Sequence, residues 1–141
     1  VSLVLAQSAN ESAWGTSRYA VDGSNFFGQW CFTKGCGLVP HRRPAGATYE
    51  VRKFSSVADS VGSYMHNLNT QKSYDGLRML RTSKRNEHEA ITGAFLAQGL
   101  TKYSTRGQEY VKELIAMING NKLFKYDVKE KNAAMLSYQV K

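Results

Sequence analysis

Residues 1–28, VSLVLAQSANESAWGTSRYAVDGSNFFG, decide how the rest of the chain is read. Val1 to Ala13 has the pattern of a helix. Its first turns are apolar almost all round (Val1, Leu3, Val4, Leu5, Ala6), as in a helix buried at the centre of a domain. Leu5, Ala9 and Ala13 continue an apolar line at i, i+4, i+8, and Gln7, Ser8 and Glu11 share another. Glu11 stands at the end of this helix, just before Trp14-Gly15, and the turn Asn25-Phe26-Phe27-Gly28 follows. A carboxyl there is expected to be partly desolvated, which raises its pKa and suits it to general acid work. The plainer alternative is a Glu that caps the helix or pairs with a cation such as Arg18.

The chain has 141 residues, enough for one domain with a real core, and 42% of them are hydrophobic. No apolar run approaches the ~20 residues that span a bilayer. The chain opens inside a helix, without an initiator Met or a capping residue, so an upstream segment of a longer protein is expected. The net charge of +8 favours an anionic partner such as nucleic acid, a membrane surface or a wall polymer. The basic residues are dispersed, and no basic helix or aromatic RNA motif stands out, which argues against nucleic acid.

Cys31 and Cys36 lie in CFTKGC. Two thiols cannot build a structural zinc site unaided, and CxxxxC is not the redox spacing. A short loop containing Gly35 can close a disulfide, which would suggest an oxidising compartment, and two buried thiols are the alternative. The ring-rich stretch FFGQWCF holds either core aromatics or a sugar-stacking wall, or some of each.

Downstream, both prolines and His41-Arg42-Arg43 fall in an irregular loop, and Thr48 to Phe54 alternates weakly, as a short strand would. Ser56-Val57-Ala58-Asp59 reads as a capping box opening a helix to about Leu68. Helices are also expected over Tyr74–Arg85, over Glu87–Gln98 with Gly99 as its stop, and from Thr105-Arg106-Gly107-Gln108 to Gly120. Leu123, Phe124 and Tyr126 form an apolar clip, and Lys129–Lys141 is a mixed tail for which a helix is one reading. The expected fold class is α+β, mostly α-helical, with a small irregular or β insertion at about residues 29–54 in a single domain.

Taken in order, these blocks resemble a family. AQSANESAWGTS followed by SNFFG resembles the signature of the bacterial glucosaminidase domain, glycoside hydrolase family 73. Gln7, Glu11, Ser12, Trp14, Gly15 and Ser17 fill its first block, and Asn25, Phe27 and Gly28 its second. Phe54, Ser56, Asp59, Ser60 and Tyr64 match a later helix, and Tyr103-Ser104-Thr105 with Tyr110 a late tyrosine motif. The cysteine loop GQWCFTKGCGLVP resembles that of the Bax-type proteins of Gram-negative bacteria, so the resemblance is closest to that branch.

The resemblance implies a lysozyme-like fold and cleavage of the β-1,4 bond after N-acetylglucosamine in peptidoglycan. Glu11 takes the place of the general acid. For the second group it offers Glu50, the acidic residue of the insertion. Alternatively the substrate's own acetamido group serves, with a tyrosine such as Tyr103 placing it. Gln7, Ser12, Trp14, Asn25, Phe26, Phe27 and Tyr64 are the expected substrate-binding surround. Asp59, Glu87 and Glu89 are read as serving helix starts. No metal or organic cofactor is implied, and the expected partner is the peptidoglycan glycan strand, met by a monomer in the periplasm or cell envelope. The rival readings are a muramidase or lytic transglycosylase on the same fold, and a noncatalytic wall-binding module.

Overall fold

A computed structural model describes residues 1–127. The chain forms two compact units, one of Gln7–Asn67 and one of Val1–Ala6 with the chain from Leu68 onward. The tail from Lys129 lies outside the described residues. The fold is mostly helical α+β, as expected. Among the described residues no helix is long and apolar enough to cross a membrane.

The Gln7–Asn67 unit takes the end of helix α1 (Ser2–Ser12), helix α2 (Arg18–Gly23), a small sheet and most of helix α3 (Val57–Thr70). Strands β1 (Trp30–Cys31), β2 (Gly37–Leu38) and β3 (Glu50–Arg52) make an antiparallel sheet in the order β1-β3-β2. Trp30 pairs with Val51 and Cys31 with Glu50 on one side, and Gly37 with Arg52 on the other. Gly37 is obligatory, because a Cβ there would lie 2.0 Å from the Val51 carbonyl oxygen. A Cys31–Cys36 disulfide closes the loop between β1 and β2. Phe27, Val51, Phe54 and Tyr64 form the apolar centre, with the Phe27 and Tyr64 rings stacked at 4.1 Å.

Helix α3 opens on the expected capping box. The Ser56 hydroxyl accepts the Asp59 amide at 3.1 Å, and Asp59 accepts the Ser55 hydroxyl at 2.5 Å. Those two hydroxyls, Ser55 first, hold the Asp59 carboxyl below its ordinary pKa.

In the other unit, Leu77, Leu100, Tyr110, Leu114 and Ile118 form the core, contributed by helix α4 (Asp75–Asn86), the turn after helix α5 (Gly93–Ala97) and helix α6 (Gln108–Gly120). Four expectations fail here. Glu87–Gln98 is not one helix. Helix α4 runs on to Asn86, His88 turns left-handed (φ +54°), and Thr92 caps the short α5 by accepting the Phe95 amide. Gly99 is not a left-handed stop but a close approach, since a Cβ there would sit 2.4 Å from Leu77 Cα. Thr105 does not cap α6; Gly107 stands at that position without a side-chain cap bond. The Leu123–Tyr126 segment is a 3-10 turn whose Phe124 and Tyr126 are exposed rather than clipped into a core. It leads to Asp127, whose carboxylate accepts the Ser2 hydroxyl at 2.6 Å, the Ser2 amide at 2.8 Å and the Gly93 amide at 2.9 Å.

Candidate active site

The end of α1 is built by the motif residues themselves. Ser12 is buried; its hydroxyl donates to the Ser8 carbonyl at 2.5 Å and accepts the Gly15 amide at 2.7 Å. The Trp14 amide reaches back to the Ala9 carbonyl at 2.8 Å, the long closing bond of a Schellman turn. That turn needs a left-handed residue, and here both Ala13 (φ +50°) and Trp14 (φ +58°) take that conformation without being glycine. Such strain costs on the order of 1 kcal/mol or more per residue and collects at functional sites. Ser17 then caps α2 by accepting the Ala20 amide. Trp14 is left 62% exposed.

The second block builds the facing turn. Asn25 is buried, and its side chain makes four hydrogen bonds, all to backbone groups. Its Oδ1 accepts the Phe27 and Gln29 amides at 3.2 Å each, and its Nδ2 donates to the Gln29 and Arg52 carbonyls at 2.9 Å each. This clamp forces Gly28 to φ +63°.

The two blocks meet at two points. A Cβ on Gly28 would lie 3.8 Å from Glu11 Oε2, and a Cβ on Gly15 would lie 3.3 Å from the Phe26 ring. Glu11 is thus next to the Gly28 turn and half-buried Phe26 next to Gly15, which follows the exposed Trp14.

Glu11 is exposed. The buried stripe of α1 runs through Leu3, Ala6, Gln7 and Ala9, whereas Leu5 and Ala13 of the expected apolar line are exposed.

Gln7, Ser12, Asn25, Phe27 and Tyr64 are also placed differently from the expectation that they contact substrate. They are 0% to 3% exposed. The Tyr64 hydroxyl donates to the Gln7 side-chain carbonyl, and the Phe27 ring covers Tyr64. They brace the site from beneath.

Glu50 is likewise buried. One carboxylate oxygen accepts the Gly35 amide at 2.9 Å and the other the Gly37 amide at 2.8 Å, so it staples the disulfide loop to β3. These amides, Gly35 first, hold its pKa below the ordinary value. Cys31, Cys36 and Glu50 bring their ligand atoms within 4.8 Å of one another, but the sulfurs are bonded together and the oxygens are spent on amides.

Tyr103 belongs to the other unit, where its ring stacks on Tyr110 at 5.6 Å and tilts against Tyr74 at 5.9 Å. Gln29 is a positioning residue that no spacing pattern signals. Its side-chain amide donates to the Ser60 carbonyl and its Oε1 accepts the Ser63 hydroxyl and the Asn67 amide, pinning the Gly28 turn to α3.

The family model for glucosaminidases, described as mannosyl-glycoprotein endo-beta-N-acetylglucosaminidase, matches residues 1–123. The chain is 36% identical over 120 residues to Protein bax of Escherichia coli (strain K12). That alignment covers 85% of the chain and 42% of the relative, so the chain spans less than half of that protein's length. No solved structure matched the chain. With nearly all of the described residues inside the match, and with both motif blocks folded against each other, the chain belongs to the glucosaminidase family of glycoside hydrolases.

Proposed function

We propose that this chain is an endo-β-N-acetylglucosaminidase of peptidoglycan acting in the periplasm or cell envelope, with Glu11 as the general acid. The observation that carries the reading is the placement of the Glu11 carboxylate beside the side-chain-free Gly28, where the two motif blocks meet. A glycosidic oxygen can approach an exposed carboxyl there, and the sugar that covers it supplies the drying that favours the protonated acid.

The engagement of both Glu50 oxygens by backbone amides supports a mechanism without a hairpin carboxylate as nucleophile. Glu11 gives its proton to the leaving oxygen as the C1–O bond breaks, and the carbonyl oxygen of the 2-acetamido group bonds to C1. The product of that step is an oxazolinium ion that keeps the amide N–H; water then opens it at C1, returning the neutral acetamido group, while the Glu11 carboxylate takes the water's proton.

Analysis of the new chain ends tests the bond specificity. Digested sacculi should carry new reducing N-acetylglucosamine ends. New muramic acid or anhydromuramic ends would instead establish the muramidase or transglycosylase reading, and binding without new ends a noncatalytic module.

A further inference from the structure

The hairpin carries large rings that the core does not use. Trp30 is 54% exposed and Phe32 71%. The Trp30 indole lies flat on the Tyr49 ring, with centroids 4.0 Å apart and planes within 10°. One face of the indole is therefore covered, and the opposite face is the open one. The stack sits on a stiff frame: Trp30 pairs with Val51, the Arg43 guanidinium donates to the Tyr49 carbonyl at 3.1 Å, and the neighbouring Glu50 staples the disulfide loop. Exposed rings on a small, braced hairpin mark a contact surface.

The charge around them has one sign. Between residues 30 and 54 the cations are Lys34, Arg42, Arg43, Arg52 and Lys53. The sole carboxylate, Glu50, is buried with both oxygens on backbone amides.

We infer that the Trp30–Tyr49 stack, carried on the same hairpin segment as Phe32, Lys34 and Arg42, is an accessory platform for an acidic β-1,4-linked glycan strand. The inference takes its substrate class from the peptidoglycan reading of the Glu11 site. β-Linked pyranoses present flat faces of C–H groups, whose slight positive charge suits the negative face of an aromatic ring. Lactyl and stem-peptide carboxylates meet the cations. A Cβ on Gly28 would lie 3.8 Å from the Glu11 carboxylate, and Gly28 is two residues from Trp30, so the Gly28 and Trp30 Cα atoms are at most about 7 Å apart. A strand held on the indole is therefore within reach of the acid.

The test is cosedimentation with purified sacculi, beside fluorescence titration with chitohexaose as a neutral strand of the same linkage. Trp30→Ala should weaken sacculus binding about tenfold, as loss of a central aromatic anchor does, and Trp30→Phe should keep most of it. Lys34→Gln with Arg42→Gln should weaken binding to sacculi and leave chitohexaose unchanged. Glu11→Gln should bind sacculi as the parent does, so failure of the catalytic assignment shows in lysis and failure of the platform in binding. A Trp30→Ala protein with unchanged unfolding midpoint and unchanged binding overturns the platform. So does tighter binding of a single-stranded oligonucleotide than of sacculi through the same rings. Should Trp30→Ala not fold, Phe32→Ala carries the test, and parental binding by that variant overturns it.

Discussion

The Tyr64 hydroxyl donates to the side-chain carbonyl of Gln7, and both residues are buried to within 2%. The pair joins the start of the motif helix segment to α3 inside the Gln7–Asn67 unit. Two motif residues thus serve by setting the position of α1, and through it of Glu11.

Tyr64→Phe removes the donor and keeps the ring on Phe27. It should cost about 1–2 kcal/mol, the usual loss when a buried acceptor is deprived of one partner. Chemical denaturation measures this as a lower midpoint. KM on wall fragments should be unchanged; a raised KM with unaltered stability would place Tyr64 in contact with substrate instead.

Glu50 makes folding sensitive to acid. Its folded pKa is depressed by the Gly35 and Gly37 amides, so its contribution is fully present above the unfolded value of about 4.3 and is lost as pH falls through the folded value. Glu50→Gln replaces one acceptor oxygen by an NH2 group that cannot take an amide N–H. The variant should be less stable at pH 7, and its unfolding temperature should fall less steeply than the parent's below about pH 4.3. Thermal unfolding across that range, read by circular dichroism, decides it. Parallel curves for the two proteins would show that the carboxylate does not carry this dependence.

Asp127 anchors the other unit at Ser2 and Gly93. Burial alone would raise its pKa, but the Ser2 hydroxyl, the Gly93 amide and the Ser2 amide outweigh that and hold it below the ordinary value. Asp127→Ala leaves those donors without their acceptor and should cost about 2 kcal/mol. Amide exchange at Ser2 and Gly93 should quicken in the same variant. Unchanged protection at both amides would contradict this role.

The motif turns were legible because their signals are local. Asn25 and Gly28 read as a turn, Ser56 and Asp59 as a capping box, and the rings after Phe26 as something other than a plain loop. What escaped is set by distant contacts. Gly99 carries the usual mark of a helix stop, yet it is glycine because Leu77 lies against it. The break at His88 has no glycine or proline to announce it. Glu50 offers a carboxylate at a plausible place for catalysis, and only the folded loop shows that two amides have taken it. Glu11 ends an apolar helix, and the helix turns that position outward in its last turn.

The central claim is that Glu11 is the acid, and turnover by Glu11→Gln tests it most directly. Release of soluble fragments from purified sacculi should fall by roughly 10²–10⁴-fold, the usual contribution of general acid catalysis. The unfolding midpoint and sacculus binding should match the parent's. Parental release of fragments by a correctly folded Glu11→Gln protein would contradict the account.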